Sequence, residues 1–97
     1  MHLEWDEEKN KANLRKHGLD FADAWEIFAS PMLTALDERA EYGEVRWIGI
    51  GMLKTRVVVI VFIERDEDII RVISPRKALS HEHKQYEQAL RDRLGSG

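Results

Sequence analysis

Residues 57–63 read VVVIVFI, seven apolar positions without a break, and this run constrains the fold more than any other feature. A strand with one wet face alternates apolar and polar residues, whereas an unbroken, β-branched run predicts a central strand covered on both faces. The run falls far short of the roughly 20 residues that cross a bilayer. A strand of this kind needs paired neighbours and a layer on each side, and the flanking segments supply both.

Upstream, Leu3 to Trp5 can form a short strand, and Asp6 sits at a helix N-cap with Glu7 and Glu8 in the dipole-favoured first turn. That helix is expected to run to His17 and stop at Gly18. Asp20 is placed to cap a second helix, with Phe21, Ala24, Trp25 and Phe28 as its apolar stripe and Ser30-Pro31 as its end. Strands are expected at 32–36, 46–52, 56–63 and 69–73, Pro75 closing the last. Gly49 and Gly51 signal a bulge or a close backbone approach. Lys54-Thr55 and Asp66-Glu67-Asp68 provide tight turns, and Ser80 is placed to cap a last helix through Leu94. The expected class is α+β: a small antiparallel sheet of about four strands, two N-terminal helices and one C-terminal helix. A chain of 97 residues suits one domain, over 1–94, with 95–97 as a flexible tail.

The net charge of −3 is unevenly spread. Residues 1–45 hold 5 Lys/Arg against 11 Asp/Glu, and residues 46–97 hold 10 against 7. A basic surface on part of the fold is therefore open to the chain, and local potential governs phosphate attraction more than the total. With no cysteine, disulfides and thiolate metal sites are excluded. The opening MHLEWD has neither a basic flank nor an apolar stretch, so no signal peptide is expected and the chain reads as cytoplasmic.

Arg71 interrupts an otherwise apolar strand, Ile69-Ile70-Arg71-Val72-Ile73, where a charge needs a partner or a function. A solvated arginine guarding an edge strand is the plainer alternative. Trp25 is expected in the core, and Trp5 and Trp47 in the core or against a partner. His81 and His83, at i and i+2, point to different sides of their helix and make a poor metal pair, though one of them is open to use as a neutral base. No metal ligand set and no cofactor motif is read.

The ordered set Trp5-Asp6, Lys9, Asn13, Lys16-His17-Gly18, Phe21, Ala24 and Phe28 resembles the opening of the BrnT toxin family. Arg39, Tyr42-Gly43-Glu44, Arg46-Trp47-Ile48, Glu64-Arg65, Arg71-Val72-Ile73-Ser74, Arg76-Lys77-Ala78, Glu82 and Tyr86 continue the likeness. Pro75 stands where that family commonly has Ala, and Ile63 where Thr often precedes the Glu-Arg pair. The resemblance implies a RelE-like fold and a metal-independent ribonuclease that needs no cofactor. It also implies a DNA-binding antitoxin that joins the toxin in a hetero-oligomer and represses its own promoter. Such chemistry uses the RNA 2′-OH as nucleophile and needs cations for charge gathering on phosphate, a role that suits arginine's fixed fork. Arg65, Arg71 and Arg76 are the candidate catalytic arginines and Glu64 a candidate base. Arg46, Lys77 and His17 are candidate RNA contacts. Hairpin salt bridging for Glu64, helix capping for His17 and plain surface charge for Arg46 and Lys77 are the alternatives. A non-catalytic protein-binding module in a transcription-regulating complex would carry nearly the same residues; convergence of the three arginines on one open surface separates the readings.

Overall fold

A computed structural model describes residues 1–95. The elements are β1 (His2–Glu4), α1 (Glu7–His17), a 3-10 turn (Phe21–Asp23), α2 (Ala24–Ala29), β2 (Leu33–Leu36), β3 (Trp47–Leu53), β4 (Arg56–Asp66), β5 (Ile69–Lys77) and α3 (Ser80–Gly95). The sheet is five-stranded, in the order β1-β5-β4-β3-β2. β2 to β5 form the expected antiparallel meander. The expectation of about four antiparallel strands needs one correction. β1 joins the same sheet, parallel to β5, with Glu4 opposite Arg71. A parallel neighbour requires a long connection, and α1, α2 and the meander provide it.

The central strand divides its side chains between two cores. Val58, Ile60 and Phe62 pack with Leu19, Phe21, Ala24, Ile27 and Val72 on the side of α1 and α2. Val57 and Val59 pack with Ile50 and Tyr86 on the side of α3. Tyr86 is buried and its hydroxyl donates to the Pro31 carbonyl at 2.8 Å, which docks α3. Trp5 and Trp47 both pack against the first core.

Trp25 does not. It is 54% exposed, and Ile27 takes the buried position instead. The second helical segment opens with a 3-10 turn, whose three residues per turn carry the apolar stripe from Phe21 to Ala24 and on to Ile27. Asp20 accepts from the Ala22 N–H as the cap of that turn. Glycines 49 and 51 mark close approach, not a bulge, since β3 and β4 pair without a break. A methyl on Gly51 would lie 2.9 Å from the Ile27 side chain.

α1 is held by amides in place of an apolar face. Its buried residues are Asn10 and Asn13. Asn10 donates to Asp20 and accepts from the Phe21 N–H; Asn13 donates to the Leu19 and Pro75 carbonyls. Asp6 caps the helix through the Glu8 and Lys9 N–H groups, and Gly18 ends it at φ 70°.

Pro75 does not close β5, which runs on to Lys77. The Pro75 carbonyl points outward to Asn13 at 3.0 Å. Its nitrogen therefore also faces away from β4, and β1 pairs only as far as Arg71, so no ladder bond is lost. Ser80 is the first residue of α3, not its cap. Leu79 is the cap residue, and its N–H donates to Glu82 at 2.8 Å, half of a capping box. The helix takes in Gly95, expected in the tail; positions 96–97 of that tail lie outside the described residues. Among the described residues, no helix is long and apolar enough to cross a membrane.

Candidate functional site

Five residues separate Arg71 from Arg76, so a regular strand would send them to opposite faces. A bulge changes this. Val61 pairs with Ser74 and Phe62 with Val72, leaving Ile73 as the extra residue in β5. Arg76 then pairs with Val59 and Arg71 with Ile63, both odd positions of β4 and hence on one face, the face that α3 partly covers. Four residues of β4 separate the two pairings, about 13 Å along the strand. That spacing suits two points along an RNA chain.

At the β1 end, Glu4 gathers two cations. Its carboxylate accepts from Arg65 Nη1 at 2.5 Å and lies 3.7 Å from Arg71 Nη1. The bond from Arg65 holds Glu4 below the usual carboxylate range, and Arg71 adds to the effect. Arg65 falls at a second irregularity of the β4–β5 ladder, between Glu64 and Asp66, which frees it from regular alternation. At the α3 end, Arg76 is gripped by both oxygens of Glu82, at 2.8 Å each. That grip lowers Glu82 to about 2, against burial, and raises Arg76. In this pair the acid is the inner partner: Arg76 is 30% exposed and Glu82 12%. His81 lies beside Glu82 on a groove floored by Ala35, Ile48 and Ile50.

The remaining candidates lie elsewhere or are already engaged. Glu64 is exposed and pairs with Ile70, which packs against the first core, so the register sets it on the face away from Arg71 and Arg76. It makes no hairpin salt bridge with Arg65, whose partner is Glu4. Lys77 pairs with Val58 and takes that same opposite face. His17 ends α1 and borders a shallow recess with Lys9, Lys16 and Phe21, on the far side of the sheet from Arg76. Arg46 ion-pairs with Glu44 and lies over the Tyr42 ring, 4.0 Å from its centroid. The structure thus brings Arg65 and Arg71 together, sets Arg76 on their face, and leaves Glu64, Lys77 and His17 apart. Sequence reasoning missed Glu4, because only the parallel docking of β1 places it beside Arg71. Glu82 was named only as part of the family likeness; its grip on Arg76 depends on how α3 docks. Among the described residues, no group of three or more His, Asp or Glu side chains is placed to hold a metal ion.

Comparison with known proteins agrees with this architecture. Residues 5–82 match the family model described as the ribonuclease toxin BrnT of type II toxin–antitoxin systems. No match is found among curated proteins. The crystal structure of the Brucella abortus ribonuclease toxin BrnT is similar at 32% identity and a TM-score of 0.63, over 82% of this chain and 99% of that one. With a family match over most of its length and a structural relative above 30% identity, the chain belongs to the BrnT ribonuclease toxins of type II toxin–antitoxin systems.

Proposed function

We propose that this protein is a metal-independent endoribonuclease with RelE-like architecture, acting in the cytoplasm on RNA laid along the α3-side face of its sheet. The observation that carries the reading is the bulge at Ile73, which puts Arg71 and Arg76 on one face. Arg71 and Arg65 stabilise the phosphate that is attacked, and Arg76 holds a neighbouring phosphate. The 2′-OH attacks the adjacent phosphorus and gives its proton to water, the bond to the leaving 5′-oxygen breaks, that oxygen takes a proton from water, and a 2′,3′-cyclic phosphate remains. Preorganised guanidiniums act where charge gathers on the phosphate oxygens, and RNA held in line supplies much of the remaining acceleration. Glu64 faces away and Glu4 is engaged by Arg65, so neither serves as a strong base. His81 lines the groove beside Glu82, the partner of Arg76.

Membership of a type II family implies an antitoxin partner. We propose that this partner binds DNA, forms a hetero-oligomer with the toxin and represses their shared promoter. The test is cleavage of single-stranded RNA by the purified chain in EDTA, with analysis of the product ends. Cyclic phosphate ends in chelator support the reading. Loss of activity in EDTA overturns the metal-free mechanism, and a folded protein without activity under any condition favours the non-catalytic binding module.

A further inference from the structure

We infer that Arg39 is a second phosphate contact for RNA at the Arg76 end of the groove, positioned there by the buried carboxylate of Asp37. The inference rests on the reading of the α3-side face as the RNA-bearing one. Loop 37–46 leaves β2 and is closed by a bond from the Asp37 N–H to the Arg46 carbonyl at 2.8 Å. Inside it, the Asp37 side chain is 1% exposed while Arg39 is 60% exposed. Arg39 Nε and Nη2 donate to the two Asp37 oxygens at 2.7 and 2.8 Å, and the Tyr42 hydroxyl donates to Asp37 at 3.3 Å. The bonds from Arg39 hold Asp37 down to about 2, against the effect of burial. Arg46, stacked over the Tyr42 ring, pins that side chain in turn.

The result is a guanidinium whose carboxylate lies beneath it and whose outer edge meets solvent. Arg76 and Glu82 repeat the arrangement on the facing element, with the acid again the inner partner. Ala35 pairs with Ile48, which packs on the α3-side core, and the Asp37 N–H bond to the Arg46 carbonyl continues that ladder, so alternation sets Asp37 on the α3-side face as well. Two guanidiniums of like charge, each backed by its own acid, suit a phosphodiester whose base or ribose lies against the apolar groove of Ala35, Ile48 and Ile50, which Glu82 borders and which ends two residues before Asp37. If the Asp37–Arg39 pair only closed its loop, substitution would change stability and leave RNA affinity alone.

The experiment measures binding of a non-cleavable, 2′-O-methylated single-stranded RNA to the full chain across a salt series, with cleavage of ordinary RNA in parallel. Arg39→Gln should weaken binding about tenfold and flatten the slope of log affinity against log salt by about 0.7, the share of one phosphate contact on a single strand. In cleavage, the loss should fall on KM more than on kcat. Arg39→Lys should restore the slope but only part of the affinity, since charge returns without the fork. Asp37→Asn should weaken binding in the same direction, by releasing the arginine. If Arg39→Gln does not fold, Arg39→Lys decides: full wild-type affinity overturns the inference. Unchanged affinity and slope in a folded Arg39→Gln, alongside weakened binding by Arg76→Ala, overturns Arg39's role and leaves the RNA face standing. No RNA binding by the wild type overturns both.

Discussion

Replacing Glu82 with Gln removes one charge while keeping a side chain that can still accept from the Leu79 N–H. What is lost is the charged half of the grip on Arg76. The Glu82 carboxyl lies at about 2 in the folded chain against an ordinary value of 4.5. Taken alone, that difference corresponds to about 3 kcal/mol of stability at neutral pH. Water at the Arg76 end screens the pair, so about 1–2 kcal/mol is expected. The sign follows from a folded value below the unfolded one. Stabilisation is complete above pH 4.5 and disappears as pH falls from there toward 2. Urea unfolding followed by circular dichroism should therefore find Glu82→Gln about 1–2 kcal/mol less stable at pH 7, with an unchanged m-value, and the gap mostly closed near pH 3. An equal gap at both pH values, or none at pH 7, would refute the assignment of this energy to the ion pair.

Gly51→Ala should destabilise the fold by about 1–3 kcal/mol in the same urea assay, because the added methyl meets Ile27 and the Ser30 hydroxyl at 2.9 Å; a neutral effect would mean that α2 shifts freely. Asn13→Ala leaves the Leu19 and Pro75 carbonyls without their amide donor and should cost about 1–3 kcal/mol, with faster hydrogen exchange along α1. Unaltered exchange would show that α1 is held by something else. Expression of the chain alone should arrest growth, and co-expression of its antitoxin should relieve the arrest. Normal growth with verified folded protein would count against an active toxin.

The parts of the fold legible in the sequence are those set by short-range chemistry. The seven-residue apolar run, the Asp6 cap, the Gly18 stop and the two tight turns are local signals, and each acts where it stands. The parallel place of β1 was not legible, because His2–Glu4 is too short to reveal its partner strand. Trp25 misled because a 3-10 start changes the phase of a helical stripe. Pro75 misled because its effect depends on which way its carbonyl turns, a tertiary matter. For the site, the family likeness drew attention to the arginines, but the single residue that sets Arg71 and Arg76 on one face is the bulge at Ile73, and nothing in Ile-Ser-Pro announces a bulge. Asn13 belonged to the same likeness. Its buried bonds to Leu19 and Pro75 explain that position as structural, where residue type alone could not separate it from a functional one.

The central claim is that guanidiniums on the α3-side face carry the chemistry. The most direct test compares RNA cleavage by the wild type, Arg71→Ala and Arg65→Ala in chelator, with each fold checked by circular dichroism. Removing one preorganised group that stabilises transition-state charge is expected to lower kcat by about 10²–10³, with Arg71→Ala the more severe of the two. Full activity in a folded Arg71→Ala protein would contradict the account.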